Sequence, residues 1–204
     1  ANVTFGIPTL KVHAKICLIS RNEKGKLVRY AHIGTGNFHE KNAKIYTDFS
    51  LFTCQQEITD EVAQVFKFIK FPYMDFTFKH LIVSPVNVRS GIDHLIDNEI
   101  KAAQNNFHSG ITLKINNLVD DALINKLYQA SNAGVKITLI IRGICSLVTG
   151  VRNQSENITA ISVVDRFLEH PRVSIFENNG QPKVYLSSAD WMGRNLDQRI
   201  EVTC

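Results

Sequence analysis

One strand–turn–strand unit occurs twice in this chain, and that internal repeat restricts the fold more than any other feature of the sequence. His13-Ala14-Lys15 opens the first copy and His170-Pro171-Arg172 the second. Each is followed by an apolar strand, a polar turn (RNEKGK against ENNGQPK) and a second strand ending in small residues. Those small residues are Gly34-Thr35-Gly36-Asn37 in one copy and Ser187-Ser188-Ala189-Asp190 in the other. From there the register runs without a gap: Asn37, Phe38, Lys41, Asn42 and Asp48 fall opposite Asp190, Trp191, Arg194, Asn195 and Glu201. An aromatic, a cation, an Asn and an acid agree in type at equal spacing, so the chain reads as two pseudo-equivalent halves. On that symmetry the first half is incomplete at its N-terminus and is expected to lack about 76 residues that the second half possesses.

The rest of the pattern gives an α/β fold. Residues 10–53 read as a hairpin plus a third strand, IYTDFSLFT. In EITDEVAQVFKFI the residues Ile58, Val62, Val65, Phe66 and Ile69 recur at helical spacing, and Pro72 stops the helix. The aromatic run FPYMDFTFKH marks a junction, which divides the chain into residues 1–80 and 81–204. Beyond it, LIVSPVN, IDHLIDNEIKAAQ, ITLKINNLV, DALINKLYQASNA and VKITLIIRG alternate as βαβαβ, and a parallel sheet covered by helices is expected. Ligands of such sheets gather at the carboxyl ends of the strands. Asn87, Asn116, Asn117 and Arg142 stand there, and Arg142, leaving an apolar strand into a Gly turn, is placed to hold phosphate.

Composition removes several function classes. With 44% hydrophobic and 21% charged residues among 204, disorder is not expected. The longest apolar run, KITLIIRGICSLV, is interrupted by Arg142 and Gly143, so no membrane span is expected, and no signal peptide precedes the first strand. Cys17, Cys54, Cys145 and Cys204 lie too far apart for a zinc site or a disulfide framework, and a reducing cytoplasm suits them. A net charge of +4 is too mild for a dedicated duplex-DNA binder, although it permits a local anion site.

Two copies of a motif, each with one His and one nearby cation, point to a single centre at the pseudo-twofold interface. His13 and His170 suit divided roles: one imidazole attacks phosphorus and the other handles the leaving-group proton. Lys15 and Arg172 neutralise equatorial phosphate oxygens, and the Gly34-Thr35-Gly36 loop lets backbone N–H groups and hydroxyls approach them. His32, just before that loop, and Asn37 are secondary candidates. Asp48 and Glu201 are expected to orient Lys15, Arg172 or a histidine through a salt bridge. Phe38 and Trp191 are read as packing residues, and His39, His80, His94 and His108 as surface residues.

H-x-K followed by G-T-G-N is similar to the phospholipase D superfamily signature. The ordered set LKVHAK, YAHIGTGNF, IYTDFSLFT, NNLVD, IIRGICSL, RFLEH and YLSSADWM resembles, over essentially the whole chain, the C-terminal half of the family 1 polyphosphate kinases. The resemblance implies a phospholipase D-like fold in two mixed sheet-and-helix halves, and reversible transfer of the ATP γ-phosphate to inorganic polyphosphate through a phosphohistidine, with Mg²⁺. It implies His13 as the phosphorylated residue, His170 as the second catalytic histidine, and Tyr46 and Arg142 as ATP contacts. The partners implied are ATP, ADP and polyphosphate rather than nucleic acid, in a full-length homo-oligomer of the cytoplasm, with peripheral membrane association left open. No metal ligand is expected within these residues, since other nucleotide and Mg²⁺ contacts of that family lie upstream. Residues 1–204 alone are therefore expected to turn over ATP poorly. Two other readings stay open: a phosphodiesterase, nuclease or phospholipase using the same histidines, and a polyphosphate- or nucleotide-binding module without catalysis.

Overall fold

A computed structural model describes Val3 and residues 6–204. The first half contributes β1 (Lys11–Val12), β2 (Lys15–Glu23), β3 (Lys26–Gly34), α1 (Glu40–Ala43), β4 (Tyr46–Thr47), β5 (Ser50–Thr53) and α2 (Gln56–Lys70). The second half begins with β6 (Ile82–Ser84), α3 (Val88–Gln104), β7 (Gly110–Ile115), α4 (Asp121–Asn132) and β8 (Lys136–Ile141). It continues through β9 (Ile158–Ile161), β10 (Leu168–Glu169), β11 (Arg172–Phe176), β12 (Lys183–Ser187), α5 (Gly193–Asp197) and β13 (Arg199–Thr203).

The expected hairpins form. Strands β2 and β3 pair antiparallel from Lys15↔Gly34 to Glu23↔Lys26, with β5 on the far side of β3. Their counterparts β11 and β12 pair from Arg172↔Ser187 to Phe176↔Lys183. The helix α2 also stands where its spacing places it and buries Val62 and Val65, but Phe68 is buried in place of Phe66, which is 41% exposed.

Three details depart from the expectation. The run LKVHAK is not one strand: the chain leaves β1 at Val12 and starts β2 at Lys15, because the amides of His13 and Ala14 both bond to the Ile200 carbonyl, at 3.0 and 2.9 Å. IYTDFSLFT breaks at Asp48 and Phe49, where the Phe49 amide donates to the Thr35 hydroxyl (3.0 Å) and the Asp48 side chain turns into the site. The βαβαβ run does not make a contiguous parallel sheet. β7, β8 and β9 are parallel neighbours, but β13, β12 and β11 lie between β6 and β7. Since β6, β13, β12, β11 and β7 are antiparallel in succession, β6 keeps the direction of β7 without touching it. The sheet is mixed because the second hairpin enters it late in the chain.

Two apolar cores result. In one, α3 and α4 cover β7, β8 and β11 through Ile96, Leu113, Leu127, Leu139 and Phe176. The other joins the halves: Ala31 and Ile33 of β3 and Val62 and Val65 of α2 pack with Val83 of β6 and Ile200 and Val202 of β13. Glu61 locks the junction onto α2, its buried carboxylate accepting the amides of Lys79 (2.8 Å), His80 (3.0 Å) and Leu81 (2.8 Å). Among the described residues no helix is long and apolar enough to cross a membrane, and all four cysteines are free thiols.

Candidate active site

Both histidines sit where the chain passes from a two-residue strand into a hairpin. These entry strands bind the opposite half. β1 lies parallel to β13 with Lys11↔Arg199 and Val12↔Ile200, and β10 lies parallel to β4 with Leu168↔Tyr46 and Glu169↔Thr47. The two pairings are equivalent, register for register, in the repeat. The pseudo-twofold relation read from the sequence is therefore built into the backbone hydrogen bonds.

The side chains cross in the same way. His13 Nδ1 lies 2.9 Å from both carboxylate oxygens of Glu201, which belongs to the second half. His170 Nδ1 lies 2.7 Å from Asp48 Oδ1, which belongs to the first. Each acid is held by a hydroxyl of its own half: Thr35 donates to Asp48 at 2.6 Å and Ser188 to Glu201 at 2.6 Å. Asn195 adds a second donor to Glu201 at 2.9 Å. Burial opposes ionisation of Asp48, but the hydrogen bonds from His170 and Thr35, with the charge of Arg172, overcome it and hold the carboxyl below its usual range.

The cations fix the tautomers. Lys15 Nζ is 2.8 Å from His13 Nε2, and Arg172 Nη1 is 3.0 Å from His170 Nε2. A guanidinium or an ammonium only donates, so each Nε2 is the accepting nitrogen and each Nδ1–H points at its carboxylate. With Nδ1–H held by an acid, each Nε2 keeps the lone pair that a nucleophile needs, beside a cation that could receive an anion. The two cations differ in their surroundings. Arg172 is bound by Asp190 through Nε (3.2 Å) and Nη2 (3.3 Å), whereas Lys15 forms no ion pair among the described residues. Burial lowers the Lys15 ammonium pKa to about 8 against the attraction of Glu201, with Arg172 and Arg199 repelling it and Asp48 attracting it.

The other candidates divide. Tyr46 packs its ring against that of His170, with centroids 4.9 Å apart and a tilt of 54°. Arg142 reaches the same corner through Asn116, whose side-chain oxygen accepts from its Nε and whose amide group donates to the His170 carbonyl at 3.4 Å. Asn117 helps to hold Asp190, with Nδ2 at 3.3 Å from Oδ2. Asn87 serves the turn after β6: its side chain accepts from the Val83 amide and donates to the Leu81 carbonyl. Asn37 is exposed, with no side-chain hydrogen bond to the histidine pair, and its carbonyl accepts the His39 amide at 2.8 Å. His32 is not brought to the pair. It lies on the outer face of β3, bonded to Ser50 at 2.9 Å and flanked by Phe52 and by Phe38, which is 70% exposed rather than packed. Trp191, by contrast, is buried. The Thr35 hydroxyl, expected at phosphate, is instead given to Asp48, and Ser188 serves Glu201 in the same way, a supporting role that reading by residue type did not assign. Their equivalence in the gapless repeat was the available signal.

The described residues contain no cluster of three or more His, Cys, Asp or Glu able to hold a metal ion, and the carboxylates of Asp48 and Glu201 are committed to histidine and hydroxyl donors.

Comparison with known proteins identifies the family and the fold. Residues 1–75 match the family model for polyphosphate kinase C-terminal domain 1, and residues 81–204 match that for polyphosphate kinase C-terminal domain 2. The polyphosphate kinase of Vibrio parahaemolyticus serotype O3:K6 is 61% identical over 201 residues, 98% of this chain and 29% of the relative. That of Escherichia coli strain K12 is 58% identical over the same shares. The crystal structure of polyphosphate kinase from Porphyromonas gingivalis superposes with a TM-score of 0.90 at 41% identity, covering 97% of this chain and 31% of that one. The chain thus spans 29% of the length of these curated relatives, with its mixed α/β halves in the arrangement of the solved structure. The chain belongs to the polyphosphate kinase family.

Proposed function

We propose that these residues carry the phosphoryl-transfer centre of an enzyme that moves the terminal phosphoryl group of ATP reversibly onto inorganic polyphosphate, with His13 as the transient acceptor. The observation that carries this reading is the crossed pair of imidazoles. Each is held at Nδ1 by an acid of the opposite half, and each presents Nε2 to a buried cation.

In the first step His13 Nε2 attacks the γ-phosphorus, the bond to the bridging oxygen breaks, and its electron pair leaves with ADP. The Nδ1 proton stays on His13, where Glu201 offsets the charge that the imidazole gains. Lys15 moves onto an equatorial oxygen, which a single donor on a four-carbon stem can do without disturbing the strand. In the second step a terminal oxygen of polyphosphate attacks the phosphorus and breaks the N–P bond. His170 and Arg172 face the same anion from the other half, with Tyr46 and Arg142 beside them as nucleotide contacts. Mg²⁺ accompanying the nucleotide is assigned no ligand here and no step. The further parts of the proposal are division at residues 80 and 81 into two phospholipase D-like domains, a full-length homo-oligomer, and a cytoplasmic location with peripheral membrane association.

The test is labelling of the full-length protein with ATP carrying a labelled γ-phosphate. Acid-labile label is expected on His13 and is expected to disappear in His13→Ala. Label that persists at wild-type level in that variant sinks the assignment. Hydrolysis of phosphodiesters without any labelled protein favours the phosphodiesterase reading instead.

A further inference from the structure

We infer that Asn116 is the positioning residue that ties the nucleotide to the second histidine: its side chain holds Arg142 at one end and the His170 backbone at the other. This rests on the phosphoryl-transfer reading above and deepens it, because it says how Arg142 is brought to the pair and kept ready for an anion.

Asn116 directly follows β7 and is 1% exposed. A side-chain amide buried to that depth is costly unless its polar groups are used. Here all four polar groups of the residue have a partner. The main-chain N–H donates to Asp190 Oδ1 at 2.8 Å, and the main-chain carbonyl accepts the Gly143 amide at 2.9 Å. Nδ2 donates to the His170 carbonyl at 3.4 Å, and Oδ1 accepts from Arg142 Nε. One residue thus touches the acid that holds Arg172, the backbone of His170, the side chain of Arg142 and the turn that carries it.

The cation held in this way differs from its neighbour. Arg172 is paired with Asp190, whereas Arg142 is half-buried and has no carboxylate partner among the described residues. The bond to Asn116 occupies Nε and leaves both Nη groups for a ligand. A neutral amide suits that purpose: it accepts from the guanidinium without cancelling its charge, as a carboxylate in the same place would, so the full charge remains for a phosphate. Holding Nε also removes rotamer freedom that a loose arginine would lose on binding.

The adjoining loop is built to the same end. Asn117 Oδ1 accepts the Ile144 amide at 3.0 Å, so residues 116 and 117 bind residues 143 and 144 side by side. That approach requires glycine at 143. A Cβ there would lie 2.6 Å from Asn117 Oδ1 and 2.8 Å from the Asn116 carbonyl oxygen, and the latter is backbone that cannot swing aside. The end of β7 and the turn after β8 therefore form one unit, which sets an anion on Arg142 at a fixed place beside His170. The His170 carbonyl keeps a second donor, Arg172 Nη1 at 2.9 Å, so loss of the Asn116 amide should disturb Arg142 more than the imidazole.

The experiment is steady-state kinetics of the full-length protein, with ATP varied at saturating polyphosphate, for wild type, Arg142→Ala, Asn116→Ala, Gly143→Ala and the double variant Asn116→Ala with Arg142→Ala. Arg142→Ala should raise the KM for ATP by about 10- to 100-fold, the loss of one charge-assisted contact. Asn116→Ala and Gly143→Ala should each raise it by about fivefold or more with kcat within about threefold of wild type, because binding geometry is lost while the reacting groups stay. The double variant should lie within about twofold of Arg142→Ala alone, since a residue that acts through Arg142 has nothing to position once that side chain is gone. A residue that only holds the fold would give no such non-additivity. Gly143 stands at an exposed turn, so Gly143→Ala carries the test if Asn116→Ala does not fold. The inference is overturned if neither Asn116→Ala nor Gly143→Ala moves the KM for ATP, if kcat falls in their place, or if the double variant loses the product of the single effects. A KM for ATP that does not respond to Arg142→Ala overturns the nucleotide contact in the phosphoryl-transfer reading as well, which separates the two failures.

Discussion

Glu201 is buried at 1% exposure and, together with Lys15 at Nε2, keeps the His13 proton on Nδ1. Replacing it with Gln keeps the shape and reverses the logic. The new amide group donates to Nδ1 and drives the proton to Nε2, where the lone pair is needed. Glu201→Gln should therefore lower the rate of His13 phosphorylation by about 10²- to 10⁴-fold with little change in KM for ATP, as expected for a lost tautomer rather than a lost binding contact. Steady-state kinetics resolves this, and a matching rise in KM would contradict it. The pairing of His13 with Lys15 and of His170 with Arg172 was legible in the sequence because the repeat presented each His with its cation two residues on. An orienting role for Asp48 and Glu201 was legible too, but which histidine each holds was not. Residue type says nothing about crossing, and only the pairing of β1 with β13 and of β4 with β10 reveals that each acid serves the other half.

Among the elements, the two hairpins are a natural experiment. On β11 and β12 the residues Phe176 and Tyr185, with Trp191 beyond, lie beneath α3, against Val88, Ile92 and Leu95. The equivalent residues of the first half, Ile19, His32 and Phe38, lie on an uncovered sheet face next to Cys17, Tyr30 and Phe52, and Ile19 is 54% exposed. One substitution at equivalent positions should consequently behave in opposite ways. Ile19→Lys should change the stability of this chain by no more than about 0.5 kcal/mol, whereas Phe176→Lys should cost more than about 3 kcal/mol through a lost aromatic and a buried charge. Urea unfolding of the two variants measures both, and equal losses would mean that the two faces are equally packed. Helices α2, α3 and α4 and both hairpins could be read from periodicity, since each buries one face. The strands β9 and β10 could not. Four residues in one case and two in the other are too short for a period, and their partners are distant in sequence.

At the scale of the whole molecule the halves are joined less by the connecting segment than by their shared core of Ala31, Ile33, Val62, Val65, Ile200 and Val202. Tyr73, in the connection, is 82% exposed and available for an engineered protease site. After cleavage there the two pieces should still elute together in gel filtration, because the bonds of Glu61 to residues 79–81 and the pairing of β1 with β13 cross the cut. Separate elution would show that the peptide connection holds them. The fold class and the number of halves were legible in the repeat, whereas the interleaving of β6 beyond the second hairpin was not, because strand order depends on long-range pairing that local patterns do not encode. The crossed grip also acts as a check on assembly. Each imidazole takes its Nδ1 partner from the opposite half, so a partly synthesised or partly unfolded chain should hold both histidines and be chemically silent. Reactivity is expected only once β13 has paired with β1.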